Sequence, residues 1–159
     1  MSANLSPSAQ RVQQAILDRG FQCEVVELPG STRTALDAAN AVGCEVAQIV
    51  KSLVFVTAQT HLPILALVSG ANRVDENRLA EIVGEPICKA DGDFVRAQTG
   101  FAIGGIPPLG HTHPLRTYID ADLMSLPEVW AAAGTPHAVF CLQPAELLAL
   151  TGGEVVKID

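Results

Sequence analysis

Charge is scarce in this chain, and positive charge is scarcest. Charged residues make up 17% of 159 positions, and ten Lys and Arg face seventeen Asp and Glu, for a formal net charge of −7. That balance excludes a protein that coats nucleic acid over a long footprint, where phosphate neutralisation supplies the affinity. It argues against a DNA partner and leaves room for one that grips only the end of an RNA. No apolar run approaches the roughly 18 residues needed to span a bilayer, so no membrane role is expected. Met1-Ser2-Ala3-Asn4 lacks the basic start and apolar core of a signal peptide, which predicts a cytoplasmic protein. No C-x-x-C pair occurs. Cys23, Cys44, Cys88 and Cys141 stand singly among apolar residues, as reduced, buried thiols do. There is no P-loop, no G-x-G-x-x-G after a strand, no G-x-S-x-G and no H-E-x-x-H.

What is present is aliphatic. Hydrophobic residues make up 48% of the chain, enough for one domain, 1–159, with a sizeable core. Ser6-Pro7 starts a helix that Gly20 ends, and Cys23 to Leu28 alternates as a strand does. Thr34 caps a helix over Ala35–Val42, whose stripe of Ala35, Ala38, Ala39 and Val42 lets it lie close to what it covers. Ile49–Thr57 and Leu62–Ser69 read as strands buried on both faces, paired as a hairpin across Ala58–His61. Asp75 caps a helix over Glu76–Val83. Pro86–Ala90 is a short strand and Asp93–Gln98 a short helix closed by Gly100. Leu115–Ile119 is a strand ending at Asp120. Val129–Ala133 and His137–Leu142 form a second hairpin, Pro144 opens a last helix, and Val155–Ile158 is a final strand. Strands outnumber helices, and hairpins mix with helical crossovers. The pattern predicts an α/β domain with a single mixed, curved, barrel-like sheet and helices on its outside.

The chemistry concentrates in a few places. Gly100 to Gly110 holds four glycines and the pair Pro107-Pro108, which makes a stiff apolar loop. Such a loop either offers its N–H groups to a carbonyl or phosphate or is a tight connection. Lys51 heads an otherwise apolar strand, so it either snorkels from an edge or aims its ammonium into a pocket. His111 and His113 form an H-x-H pair without further ligands nearby, and either is a general-base candidate or a plain loop residue. Thr32 and Thr34 could bond a ligand, although capping is the simpler role for Thr34. Asp120 could orient a cation or cap the turn after it. Arg33, Arg73, Arg78, Arg96 and Arg116 are candidates for phosphate contacts.

Taken together, Thr34-Ala35-x-x-Ala38-Ala39, Ile49-Val50-Lys51-Ser52-Leu53 and Thr99-Gly100-Phe101 running into Gly104-Gly105-Ile106-Pro107-Pro108-Leu109-Gly110 resemble the YbaK family. This is the free-standing form of the editing domain associated with prolyl-tRNA synthetase. The resemblance covers Thr32 to Val155. It implies a trans-editing hydrolase that deacylates misacylated tRNA, often tRNA-Pro, without metal, cofactor or covalent nucleophile. It implies that Lys51 contacts the substrate near the scissile ester, that Gly104 and Gly105 with Ile106, Pro107 and Pro108 position ester and water, and that Thr34 and Ser52 lie near the pocket, where a hydroxyl of the terminal ribose assists. His111 and Asp120 complete the expected substrate-binding set. The expected partners are the misacylated tRNA acceptor end and prolyl-tRNA synthetase. Pro107 stands where the cysteine-removing branch commonly has a small hydroxyl residue, so Ala, Ser, Thr or a non-standard amino acid fits as well as cysteine. Two other readings remain: a non-catalytic module of the same fold that binds an acceptor end or a synthetase, and a small-molecule hydrolase built on a Cys, His111 or His113.

Overall fold

A nine-residue strand, β2 (Ile49–Thr57), is the axis of the fold in this computed structural model, which describes residues 5–159. The N-terminal residues that lack a signal-peptide pattern, Met1 to Asn4, lie outside the described residues. In chain order the elements are α1 (Pro7–Asp18), β1 (Val25–Glu27), α2 (Ala35–Val42), β2, β3 (Pro63–Ser69), α3 (Glu76–Val83), β4 (Ile87–Lys89), α4 (Gly92–Thr99), β5 (Arg116–Asp120), β6 (Val129–Ala132), β7 (Ala138–Leu142), α5 (Pro144–Thr151) and β8 (Glu154–Val156). The strands form one mixed sheet in the order β1-β7-β6-β2-β3-β5-β8, with β4 branching from β2. The sheet stays open, with β1 at one end of the order and β8 at the other. The expectation therefore holds for a single mixed sheet and not for barrel closure.

The two central strands explain why the sequence there is nearly all apolar. In β3, Leu65 and Leu67 enter one core, while Ile64, Ala66 and Val68 enter the other, and all five are fully buried. Side chains alternate across a strand, so a strand covered on both faces must be apolar at every position. β2 divides in the same way, with Val50 and Val54 in the larger core and Phe55 in the smaller. The larger core is closed by Ala9, Val12 and Ile16 of α1, by Leu147 and Leu150 of α5, and by Phe101, Ile106 and Leu109 of the glycine-rich loop. The smaller is covered by Leu79 and Val83 of α3.

The hairpins expected from sequence are present: β2 pairs with β3 from Val50↔Ser69 to Val56↔Pro63, and β6 pairs with β7. Thr34 Oγ1 accepts from Asp37 N at 3.0 Å and Asp75 Oδ1 from Arg78 N at 3.1 Å, so both caps are made. The cap at Ser6 is not. Ser6 holds the N-cap position, but its hydroxyl is buried without a partner while its N–H donates to the Glu27 carboxylate. The cysteines are all free, but they are less buried than their apolar surroundings in the sequence suggest. Cys23, Cys44 and Cys141 are partly exposed, and Cys88 is exposed on the short strand β4. β4 pairs with β2 alone, so its outer face meets solvent and a small apolar residue is tolerated there.

Candidate functional site

β2 changes partners along one edge, and the candidate site sits in the break. β6 runs parallel to it only at Ile49 and Val50. β4 runs antiparallel to it only from Phe55 to Thr57. Lys51, Ser52 and Leu53 have no strand partner on that edge. A cleft of about 390 Å³ opens against them. Its walls come from the start of α2 (Thr34, Ala35, Ala38), from Ile103 to Ile106, and from Trp130 to Ala132 of β6. α2 can form such a close wall because Ala38 and Ala39 pack on Ile49 with almost no side chain between them.

The glycine-rich loop reaches the cleft by close packing. Gly104 has φ +105°, a conformation that L side chains rarely adopt, and the Arg33 side chain lies over it, 3.2 Å from where a Cβ would stand. At Gly105 a Cβ would meet the Thr135 main chain at 2.7 Å. Gly105 O accepts from Gly134 N at 2.8 Å, which fastens the loop to the β6–β7 turn. Gly105 N donates to Ala102 O at 3.3 Å. Among the described residues, nothing accepts from the N–H of Gly104 or of Ile106. Of the loop's donors beside the cleft, those two are free to meet a developing oxyanion.

Lys51 is partly buried on the cleft wall, and its Nζ donates to the main-chain carbonyl of Asn72 at 2.5 Å. Its pKa is lowered, first by burial and then by the Arg73 guanidinium, while the Asp120 carboxylate works in the opposite direction. Asp120 itself is 1% exposed and lies behind the lysine, outside the cleft. Its oxygens accept from Ser69 N at 3.0 Å, Asn72 Nδ2 at 2.9 Å and Asp122 N at 3.0 Å. Two hydroxyls in the cleft wall, Ser52 Oγ and Thr32 Oγ1, are buried with no hydrogen-bond partner.

The structure thus brings together Lys51, Ser52, Thr34, Gly104, Gly105 and Ile106 from the residues expected from sequence. Pro107, Pro108 and His111 are not in the cleft wall. Pro107 is buried, and its carbonyl accepts from His111 Nε2 at 2.7 Å. That bond places the proton on Nε2, and burial lowers the His111 pKa, so the ring is a neutral brace for the loop. Pro108, His111 and His113 line a separate hollow with Arg19. Of the five arginines, Arg33 stands on the cleft rim and Arg73 beside Lys51, whereas Arg116 stacks on Tyr118 elsewhere. Sequence reasoning missed Trp130, Ile103 and Asn72. Trp130 carried a signal, being the only tryptophan.

None of the four cysteines lines the cleft. Burial raises the pKa of Cys23 and Cys44, and burial with the Glu128 carboxylate pushes Cys141 up to about 11. For a metal, the described residues offer one acidic group of three, Asp120, Asp122 and Asp159. The Asn72 amide donates to both Asp120 and Asp122 there, and so already serves those oxygens.

A cleft with a lysine, free loop donors and no thiolate is compatible with hydrolysis of an activated carbonyl, and the relatives of the chain agree. Residues 30–150 match the model of the aminoacyl-tRNA editing domain. The chain belongs to the aminoacyl-tRNA editing domain family. Its structural similarity extends over nearly the whole length. A crystal structure described as that of a proposed trans-editing enzyme for prolyl-tRNA synthetase is 57% identical, with a TM-score of 0.93 over 98% of this chain and 99% of that one. Among curated proteins, uncharacterized YwhH of Bacillus subtilis is 30% identical over 78% of both chains. EbsC of Enterococcus faecalis, named as a proposed Cys-tRNA(Pro)/Cys-tRNA(Cys) deacylase, is 29% identical over 79% of this chain and 76% of its own. The protein is an aminoacyl-tRNA deacylase of the editing-domain family, and its fold is that of the YbaK group.

Proposed function

We propose that this deacylase acts in trans, in the cytoplasm, on tRNA-Pro carrying a wrong small amino acid, and that the cleft at the break in β2 takes the aminoacyl ester. The observation that carries the reading is the meeting of Lys51 and Ser52 with Gly104 and Ile106 across one cleft of about 390 Å³. That volume lies at the small end of ligand pockets, which suits a terminal aminoacyl nucleoside and no larger part of a tRNA. Alanines at positions 35, 38, 131 and 132 leave space for a small side chain.

In the proposed reaction, water attacks the ester carbonyl carbon and the carbonyl oxygen becomes an oxyanion. The free N–H groups of Gly104 and Ile106 and the Lys51 ammonium face that charge. Rigid donors need no reorganisation, and one is worth about 10²–10³ in rate. The bond to the ribose oxygen then breaks, that oxygen takes a proton, and the free amino acid leaves. A neighbouring ribose hydroxyl assists, as the family resemblance implies. Prolyl-tRNA synthetase is the proposed source of the mischarged tRNA and a partner in its transfer. Pro107 stands where the cysteine-removing branch commonly has a small hydroxyl residue, so Ala, Ser, Thr or a non-standard amino acid fits as well as cysteine.

The test is turnover of tRNA-Pro charged separately with Pro, Ala, Cys and Ser by the wild-type protein and by Lys51→Ala. Selective release of one wrong amino acid, reduced at least about a hundredfold in the folded variant, is the expected result. Full activity of Lys51→Ala removes the assigned site. Binding of all four without turnover favours the non-catalytic reading.

A further inference from the structure

Lys51 does not hold its own position. A lysine carries four rotatable side-chain bonds, and fixing it in one geometry costs rotamer entropy. The main-chain carbonyl of Asn72 takes one of the three ammonium protons, and the place of that carbonyl depends on where the segment after β3 runs. Main-chain bonds from Gly70 N to Ile49 O at 2.7 Å and from Asn72 N to Ser69 O at 2.9 Å hold the start of that segment, and the Asn72 side chain adds a second anchor. Its amide nitrogen donates to Asp120 Oδ2 at 2.9 Å and to Asp122 Oδ2 at 2.8 Å. Asp120 is in turn immobilised, because Ser69 N and Asp122 N also donate to it from β3 and from the turn after β5. The chain of contacts therefore runs from two neighbouring strands through Asp120 to Asn72 and on to Lys51.

We propose that Asn72, anchored by the buried carboxylate of Asp120, is a positioning residue that fixes the Lys51 ammonium at the cleft. This rests on the reading that Lys51 acts on the ester. The arrangement also gives Asp120 a purpose that capping alone leaves unexplained. A carboxylate taken fully out of water is costly unless several donors satisfy it, and a short turn could be capped by an exposed Asp. At this place the buried charge lies near Lys51 and opposes the Arg73 guanidinium, the other charged group facing the lysine. Asp122 reaches the lysine only through the Asn72 amide.

The experiment compares wild type, Lys51→Ala, Asn72→Ala and Asp120→Asn, each checked for folding by thermal melting. Deacylation is measured as separate kcat and KM values. Lys51 is titrated by NMR with the exposed Lys89 and Lys157 as internal references. Asn72→Ala is expected to lower kcat by about tenfold to a hundredfold, as for a catalytic group displaced by about 1 Å, with KM within about twofold. Asp120→Asn is expected to move the Lys51 titration to lower pH while Lys89 and Lys157 stay in place, as loss of a negative charge beside the ammonium requires. Loss of activity in Lys51→Ala with unchanged kcat in Asn72→Ala overturns the positioning role. So does a Lys51 titration that Asp120→Asn leaves in place. Retained activity in Lys51→Ala instead defeats the reading of the site on which the inference rests. If Asp120→Asn fails to fold, the kcat and KM of Asn72→Ala decide alone.

Discussion

Gly105 has no room for a side chain. The nearest atoms to a Cβ there would be main-chain atoms of Thr135 at 2.7–2.8 Å, and main chain cannot swing aside as the end of a flexible side chain can. Gly104 differs. Its obstacle is the Arg33 side chain, which can move, and its constraint is the left-handed φ of +105°. Gly105→Ala therefore forces the loop away from the β6–β7 turn and breaks the Gly134 N to Gly105 O bond. The expected cost is about 1–3 kcal/mol, as for other overpacked sites, read as a lowered melting temperature. Because the same loop carries the free N–H of Gly104 and Ile106, the loss of deacylation should exceed the loss of folded protein. Equal losses in activity and in folded fraction would mean that the loop's position does not matter to the reaction.

The break in β2 is the feature on which the site depends, and it makes a testable demand on two hydroxyls. Burying a hydroxyl without a partner costs about 1–3 kcal/mol by mutational measures. Ser52 Oγ and Thr32 Oγ1 both bear that cost in the cleft wall. If they serve only the fold, replacing them with apolar isosteres should help and change nothing else. If they serve the ligand, Ser52→Ala and Thr32→Val should hold or raise the melting temperature while deacylation falls. That opposition of stability and function is the expected outcome, and simultaneous measurement of both checks it. β2 and β3 themselves were legible from sequence, because burial on both faces demands runs such as Ile-Val-Lys-Ser-Leu-Val-Phe-Val. The break was not. β6 reads from sequence as one half of a hairpin with β7, and nothing local states that its other edge runs parallel to β2 for two residues. The glycine-rich loop, Lys51 and Thr34 stand out because their types are unusual in their surroundings, whereas Ser52 entered only through the family resemblance, and all of them reach the cleft wall. Pro107, Pro108 and His111 carried the same kind of signal but lie outside the cleft wall. Asn72 was invisible because it meets Lys51 through a main-chain carbonyl, which any residue has.

At the scale of the whole molecule, a net charge of −7 must be reconciled with a polyanionic substrate. The reconciliation is local. Arg33 on the cleft rim, with Lys51 and Arg73 close by, gathers three of the chain's ten Lys and Arg residues at the cleft. Such a surface engages few phosphates, so its salt dependence should be shallow. With about 0.7 released counterions per phosphate on a single-stranded end, two or three contacts give a log–log slope near −2, far from the value for a protein that tracks a duplex. Arg33 is exposed and lies over Gly104, next to the proposed oxyanion donors. Arg33→Ala should weaken binding and flatten the slope by roughly 0.7, with kcat changed much less than KM. Measuring KM for a mischarged tRNA-Pro between low and physiological salt, for wild type and this variant, reads both quantities at once. A steep slope that Arg33→Ala leaves intact would place the tRNA on some other face of the molecule, and the cleft would then receive the acceptor end without holding it.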